Sequence, residues 1–348
     1  MQKPNIIYFT NMDLLSRKAH VVQIVKTAAA LSALGLRVKL VVRKAGEASE
    51  NTFANVGIYQ GIKNLETIEY RRRVLLPLLA ERAIFYTRSV TWAIKLVRLK
   101  TIHRNPIVFE THRKLLYYKN DPETGVTNGI EDRDILEHLY NRADGVLCSC
   151  GRTHAKLRER GIRTIQLWYG WTSNIDVNIT ASRATDIGYI GFKREIYRII
   201  EALRDISCRY RFHIFGGNDT EISKFRNKID TEIRDRIILH GFIKHRDLHT
   251  KTKICGTMIA ANEGIKLADY LTVAGAIIAP DLPSIKDILA NSACYFKFND
   301  LDSLREAIAR VISDSALYLS LREKSARLRT KYIWPHKGAE LLKFIEEI

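Results

Sequence analysis

The residues with chemistry in them are a histidine after an apolar run, two glycine turns beside basic residues, and an acid early in a helical segment. His112 follows Pro106–Glu110, a strand-like run. At a strand's carboxyl end it can hydrogen-bond a substrate hydroxyl or meet a developing charge. The stretch Gly188-Tyr189-Ile190-Gly191-Phe192-Lys193-Arg194 continues to Arg198. Glycines let the backbone approach a ligand closely, and lysine or arginine can clamp a diphosphate. A second turn, Phe215-Gly216-Gly217-Asn218, is of the same kind. Farther on, Glu263-Gly264-Ile265-Lys266-Leu267-Ala268-Asp269 reads as a loop entering a helix. An acid there can accept hydrogen bonds from a ribose diol while the helix N-terminus faces phosphate. Each group also has a plainer reading as a solvated basic turn, a capping residue or a satisfied polar loop.

Other patterns exclude chemistry. The loop after the first strand, Asn11 to His20, lacks G-x-G-x-x-G, so a simple dinucleotide site is not expected. It ends at a helix start with Ser16, Arg17 and Lys18, a setting that suits an anion. Two Asp-x-Asp runs, Asp132-Arg133-Asp134 and Asp300-Leu301-Asp302, read as solvated acids. The five cysteines (Cys148, Cys150, Cys208, Cys255 and Cys294) have neither an even count nor zinc spacing. Buried, reduced thiols are expected, and no metal site.

These loops need rigid elements to hold them. Short β-branched runs alternate with helical patterns along the whole chain, which predicts parallel sheets covered by helices. Strands are expected at Asn5–Thr10, Arg37–Arg43, Ala83–Thr87, Pro106–Glu110 and Gly145–Ser149 in the first half. The second half offers Thr185–Ile190, Arg211–Phe215, Ile237–His240, Thr257–Ile259, Ala276–Ala279 and Ala293–Lys297. A length of 348 residues suits two domains. We expect an N-terminal Rossmann-like domain over 1–175 and a C-terminal one over 185–334. An amphipathic last helix (335–348) should cross back to the first. In open parallel sheets ligands bind beyond the carboxyl ends of the strands, so two such domains set face to face predict one shared cleft.

The segment from Lys266-Leu267-Ala268-Asp269-Tyr270-Leu271 to Asp281-Leu282-Pro283-Ser284-Ile285-Lys286-Asp287 resembles the C-terminal motif of the GT-B retaining glycosyltransferases of the family-4 type. Tyr86-Thr87-Arg88-Ser89, Val108–His112, Gly188–Gly191, His213–Gly217, His240-Gly241-Phe242 and Tyr332-Ile333-Trp334 extend the likeness in the family's order. The resemblance implies a hexosyltransferase-type enzyme acting with retention of configuration and without a metal. The donor is a nucleotide-diphosphate sugar, which is a substrate, so no cofactor is implied. The acceptor is a glycan or a lipid-linked molecule. His112 then contacts the transferred sugar. Lys193 and Arg198, with Arg194 able to replace either, meet the diphosphate beside Gly191 and Gly216. Lys266 belongs to the same donor motif, and Asp269 holds the ribose. Eight residues before Asp269, where the family carries its first acid, stands Ala261. Glu263 takes that role only if the loop is shifted.

The net charge is +18, which favours anionic partners. Arg71-Arg72-Arg73 ahead of Val74–Leu79, and Thr91–Lys100, mix basic and apolar residues as an anionic membrane surface would require. No run of apolar residues is long enough to span a bilayer, and no secretory leader is evident. The protein is expected to be cytoplasmic, with peripheral attachment to the membrane's inner face. Nucleic-acid binding is the rival from the charge, but no reader motif supports it. Two further readings keep the fold: a non-catalytic partner subunit, favoured by Ala261, and a sugar-nucleotide epimerase.

Overall fold

The computed structural model describes residues 3–14, 19–44, 62–111, 130–149, 151–168, 170–172, 182–261 and 266–348. The chain divides into two compact units, Met1–Tyr169 with Trp334–Ile348, and Gly170–Ile333. Each is an α/β unit.

The first unit runs β1 (Ile6–Phe9), α1 (Ala19–Ala33), β2 (Val38–Val42), β3 (Leu65–Glu69), α2 (Arg72–Ala80) and β4 (Ile84–Thr87). It continues with α3 (Val90–Arg98), α4 (Lys100–His103), β5 (Ile107–Thr111), α5 (Ile130–Arg142), β6 (Gly145–Cys148), α6 (Gly151–Glu159) and β7 (Thr164–Gln166). The seven strands lie in the order β3-β2-β1-β4-β5-β6-β7, every pairing parallel. The central strands are apolar runs buried along their length, as a sheet covered on both faces demands.

The second unit runs β8 (Arg183–Ile190), α7 (Glu195–Arg204), β9 (Arg211–Phe215), α8 (Asp219–Arg226), α9 (Thr231–Arg234), β10 (Ile237–Gly241), α10 (His245–Thr252) and β11 (Cys255–Ile259). It closes with α11 (Lys266–Thr272), β12 (Ala276–Pro280), α12 (Pro283–Leu289), β13 (Ala293–Phe296), α13 (Leu301–Ser313) and α14 (Ser315–Lys331). Its sheet order is β10-β9-β8-β11-β12-β13, again parallel. Both sheets thus reverse direction once, between β1 and β4 and between β8 and β11. That reversal is the Rossmann pattern, and its crevice is where such sheets take ligands. The final helix, α15 (Trp334–Glu346), belongs to the first unit and packs on α1, with Gly338 against Ala30.

All eleven expected strands form. The edge strands β3 and β7 were not anticipated, because Leu65–Glu69 is half-exposed and mixes charge with apolar residues, and Thr164–Gln166 is only three residues long. The expectation of buried thiols needs one correction. Cys148, Cys255 and Cys294 are buried, but Cys208 is exposed in the turn before β9, and Cys150 lies outside the described residues. In the second Asp-x-Asp run, Asp300 caps α13 by accepting from the Ser303 N–H at 2.9 Å, and exposed Asp302 pairs with Arg305.

Candidate functional site

The second unit builds its site at the β8/β11 reversal. β8 ends at Ile190, and Gly191 turns the chain with φ +127°, its N–H donating to the Phe215 carbonyl at 2.8 Å. After β9, Gly216 has φ +147°, and a Cβ there would lie 2.9 Å from the carbonyl carbon of Gly191. The two βα loops therefore touch backbone to backbone. Only glycine permits both the contact and the dihedral.

Lys266, the first residue of α11, extends its ammonium over Gly191 into the space a side chain would occupy there. The Nζ also lies 5.2 Å from the centre of the Tyr189 ring. Burial, and then the charge of Lys193, bring its pKa down to about 8 against the opposing pull of Glu195 and Asp269. The Lys266 ammonium thus sits on the glycine turn, within reach of the charge of Lys193. Lys193 itself is exposed, as is Arg194.

Arg198 is placed differently from its two basic neighbours. Its guanidinium donates to the Asn299 side-chain oxygen at 2.6 Å, in the loop that leads into α13. The spacing of five residues puts it on the second turn of α7, and that turn faces the β13–α13 loop.

Asp269 lies one turn into α11. His249 Nε2 is 2.9 Å from its Oδ1, and His245 Nε2 is 3.6 Å from the same oxygen. Burial pushes the carboxyl up, but the imidazoles of His245 and His249 outweigh it and hold the group below the usual carboxylate range. The two histidines were missed in the sequence, although H-x₃-H on an amphipathic octet was there to be read. His112 and Glu263, the two residues expected to serve catalysis, lie outside the described residues, as do Ser16, Arg17 and Lys18.

The first unit has its own cavity, of about 420 Å³, at the β1/β4 reversal. Asn11, Met12, His20, Arg88, Glu110 and Thr111 are among its lining residues. Asn11 donates to the Ser89 hydroxyl at 2.8 Å, and Ser89 in turn caps α3. Behind the lining is a buried polar cluster. Tyr86 donates to one oxygen of Glu110, and Lys337 from α15 sits 3.8 Å from the other. Burial lowers the Arg88 guanidinium's hold on its proton, and Glu110 and Tyr8 more than restore it. Neither Arg88 nor Lys337 was singled out as a site residue from sequence.

Residues 186–328 match the family Glycosyl transferases group 1. The whole chain superposes on sucrose-phosphate synthase from Thermosynechococcus elongatus with a TM-score of 0.72 at 15% identity, covering 99% of each chain. Anabaena HepE in complex with UDP gives 0.73 at 12% identity, covering 99% of this chain and 100% of that one. S. aureus TarM in complex with fondaparinux, alpha-GlcNAc-glycerol and UDP gives 0.72 at 8% identity, with 99% of each chain covered. The fold is GT-B. The stretch of its second unit that matches group 1 glycosyl transferases, 186–328, spans both glycine turns, Lys266 and Asp269. No curated protein sequence matches the chain significantly. At these identities the superpositions of the GT-B chain establish architecture, and the residues must carry the chemistry.

Proposed function

We propose that the protein transfers a sugar from a nucleotide-diphosphate donor to a glycan or lipid-linked acceptor, with retention of configuration. The observation that carries this reading is the Lys266 ammonium set on the appressed turns at Gly191 and Gly216, with the charge of Lys193 acting on it, inside the stretch that matches group 1 glycosyl transferases. In this reading the diphosphate lies against the glycine turns, where bare backbone allows close approach. The two ammonium groups neutralise the charge that grows on the departing diphosphate, the service a divalent metal gives in other enzymes. Lys266, stripped of water, interacts more strongly with an anion than a surface lysine does.

Asp269 accepts the ribose diol. The first unit takes the acceptor in the cavity lined by Arg88 and His20, and His112, by the family resemblance, contacts the transferred sugar. Glu263 completes the donor side. Arg194, exposed at the start of α7, offers a further charge to the diphosphate, and Arg198 steadies the β13–α13 loop through Asn299. UDP is the first nucleotide to test because HepE holds it in its crystal structure.

Attachment to an anionic membrane surface suits a lipid-linked acceptor. Neighbouring helices α2 and α4 expose Leu76 (71%) and Ile102 (66%) among Arg71, Arg72, Arg73 and Arg104. No helix among the described residues is long and apolar enough to cross a membrane.

The deciding experiment is a thermal-shift series with UDP, GDP, ADP, dTDP and their sugars, in metal-free buffer. One nucleotide should raise the melting temperature of the wild type and leave Lys266→Ala unmoved, since a ligand that binds only the native state stabilises it. No shift at millimolar concentration with any of them overturns the reading.

A further inference from the structure

We infer that His245, His249 and Asp269 form a binding site for one divalent transition-metal ion of the zinc class. The argument starts from spacing. His245 and His249 are four residues apart on α10, so their side chains lie on one helix face, one turn apart. Their rings are 5.3 Å apart and nearly perpendicular. The third donor comes from a different element, α11, which packs its Asp269 carboxylate against that face. Ligands drawn from two elements, with a pair of imidazoles at i and i+4, are the ordinary construction of a protein zinc site.

The distances suit an ion as well as a hydrogen-bonded clamp. Both Nε2 atoms point at the same oxygen, at 2.9 and 3.6 Å. The longer gap exceeds a hydrogen bond. In a tetrahedral zinc site with ligand bonds of about 2.0 Å, neighbouring donor atoms stand about 3.3 Å apart. The two observed separations bracket that value, and all three donor atoms lie within 4.8 Å of one another. The two imidazole–carboxylate separations therefore need change by only a few tenths of an ångström to receive an ion.

The donor set fits the metal. Two imidazoles and one carboxylate suit zinc and its neighbours, whereas calcium and magnesium want more oxygens. The side chains are 25, 9 and 16% exposed for His245, His249 and Asp269, so the group is shielded yet open on one side for a fourth ligand. Binding releases any proton held between an imidazole and the carboxylate, and no other bond changes.

The site adjoins Lys266, which shares α11 with Asp269 and feels its charge. It shares Asp269 with the proposed ribose contact, so ion and nucleotide compete for one carboxylate. That competition, unlike the site itself, rests on the proposed nucleotide role.

The test is a titration of the chelator-treated full-length protein with Zn²⁺ against a chromophoric indicator, followed by X-ray absorption at the zinc edge. We expect one ion per chain, held by nitrogen and oxygen donors. His245→Ala, His249→Ala and the near-isosteric Asp269→Asn should each weaken binding at least ~10–100-fold, the range that even outer-shell partners are worth. His336→Ala, an exposed histidine in the first unit, should leave binding unchanged. Failure of the wild type to bind one equivalent, sulfur in the absorption spectrum, or equal affinity across all the variants overturns the proposal. A parallel UDP titration of the metal-free protein separates the two readings. Zinc bound without UDP keeps the site and removes the nucleotide reading, and UDP bound without zinc does the reverse.

Discussion

Lys266 rests its ammonium over the α-carbon of Gly191, so the residue that opens α11 fills the place of the side chain missing from the turn after β8. The relationship links the two halves of the unit's reversal point. It also makes the two glycines of the site unequal in what they tolerate.

Both Gly191 and Gly216 have positive φ, so alanine at either is strained by roughly 1–3 kcal/mol. At Gly191 the new methyl meets the end of a flexible lysine, which can swing away. At Gly216 it meets Gly191 backbone atoms at 2.9 to 3.1 Å, which cannot. Urea denaturation should therefore show a larger stability loss for Gly216→Ala than for Gly191→Ala. Calorimetry should show that Gly191→Ala, though folded, has lost nucleotide affinity because Lys266 is displaced. Equal losses of stability would refute the backbone contact.

The lowered pKa of Lys266, about 8, gives two pH effects of opposite sign. As pH rises from 7 to 9 the ammonium is lost, and at one unit above the pKa only about a tenth of it remains. Affinity for UDP should fall over that window, and Lys266→Met should abolish this part of the dependence. Stability moves the other way. The folded pKa of about 8 lies below the ordinary 10.5, so between those values the unfolded chain binds more protons. The Lys266 contribution to folding therefore grows as pH rises through that window. UDP affinity independent of pH between 7 and 9 would remove Lys266 from the phosphate site.

The surface of α2 and α4 predicts binding to vesicles of phosphatidylglycerol but not phosphatidylcholine. Each basic residue near an anionic surface contributes about 1 kcal/mol, so Arg72→Ala or Arg73→Ala should weaken sedimentation with the vesicles about fivefold. Leu76→Asp should do more, since it also removes an apolar contact. Equal binding to both lipids would show that this face is merely solvated.

Much of this arrangement was legible in the sequence, for identifiable reasons. Buried parallel strands such as Ile6–Phe9 and Ala276–Pro280 must be continuous apolar runs, and they stand out as such. The glycine turns stood out because only glycine makes them. What spacing could not show was which way a side chain turns. Lys193 and Arg198 are five apart, yet Arg198 faces Asn299 while Lys193 adds its charge to that of Lys266. His245 and His249 drew no notice because α10 is a short, strongly polar helix whose partner, Asp269, is 20 residues beyond His249. Arg88 and Lys337 were hidden for the same reason, since the carboxylate they attend, Glu110, belongs to another element.

That carboxylate supports a final prediction about the first unit. Glu110 and Lys337 are both buried, and Tyr86 donates to the same carboxylate. Burial, with a smaller push from Arg88, lowers the pKa of Lys337 to about 8 against the opposing pull of Glu110. Removing one partner of a buried pair typically costs about 3–5 kcal/mol, because the other charge remains without compensation. The two removals differ here. Lys337→Met leaves Glu110 with Tyr86 and the charge of Arg88, whereas Glu110→Gln strips the compensating charge from buried Lys337 and half-buried Arg88 at once. Guanidinium denaturation should therefore show a larger loss for Glu110→Gln than for Lys337→Met. The double variant should lose less than the sum of the two, by the coupling expected of residues in one network. Because Lys337 reaches the cluster from α15, the same variants report how firmly the last helix is tied to the first sheet. Strict additivity, with equal single losses, would show that α15 is held by its packing on α1 alone.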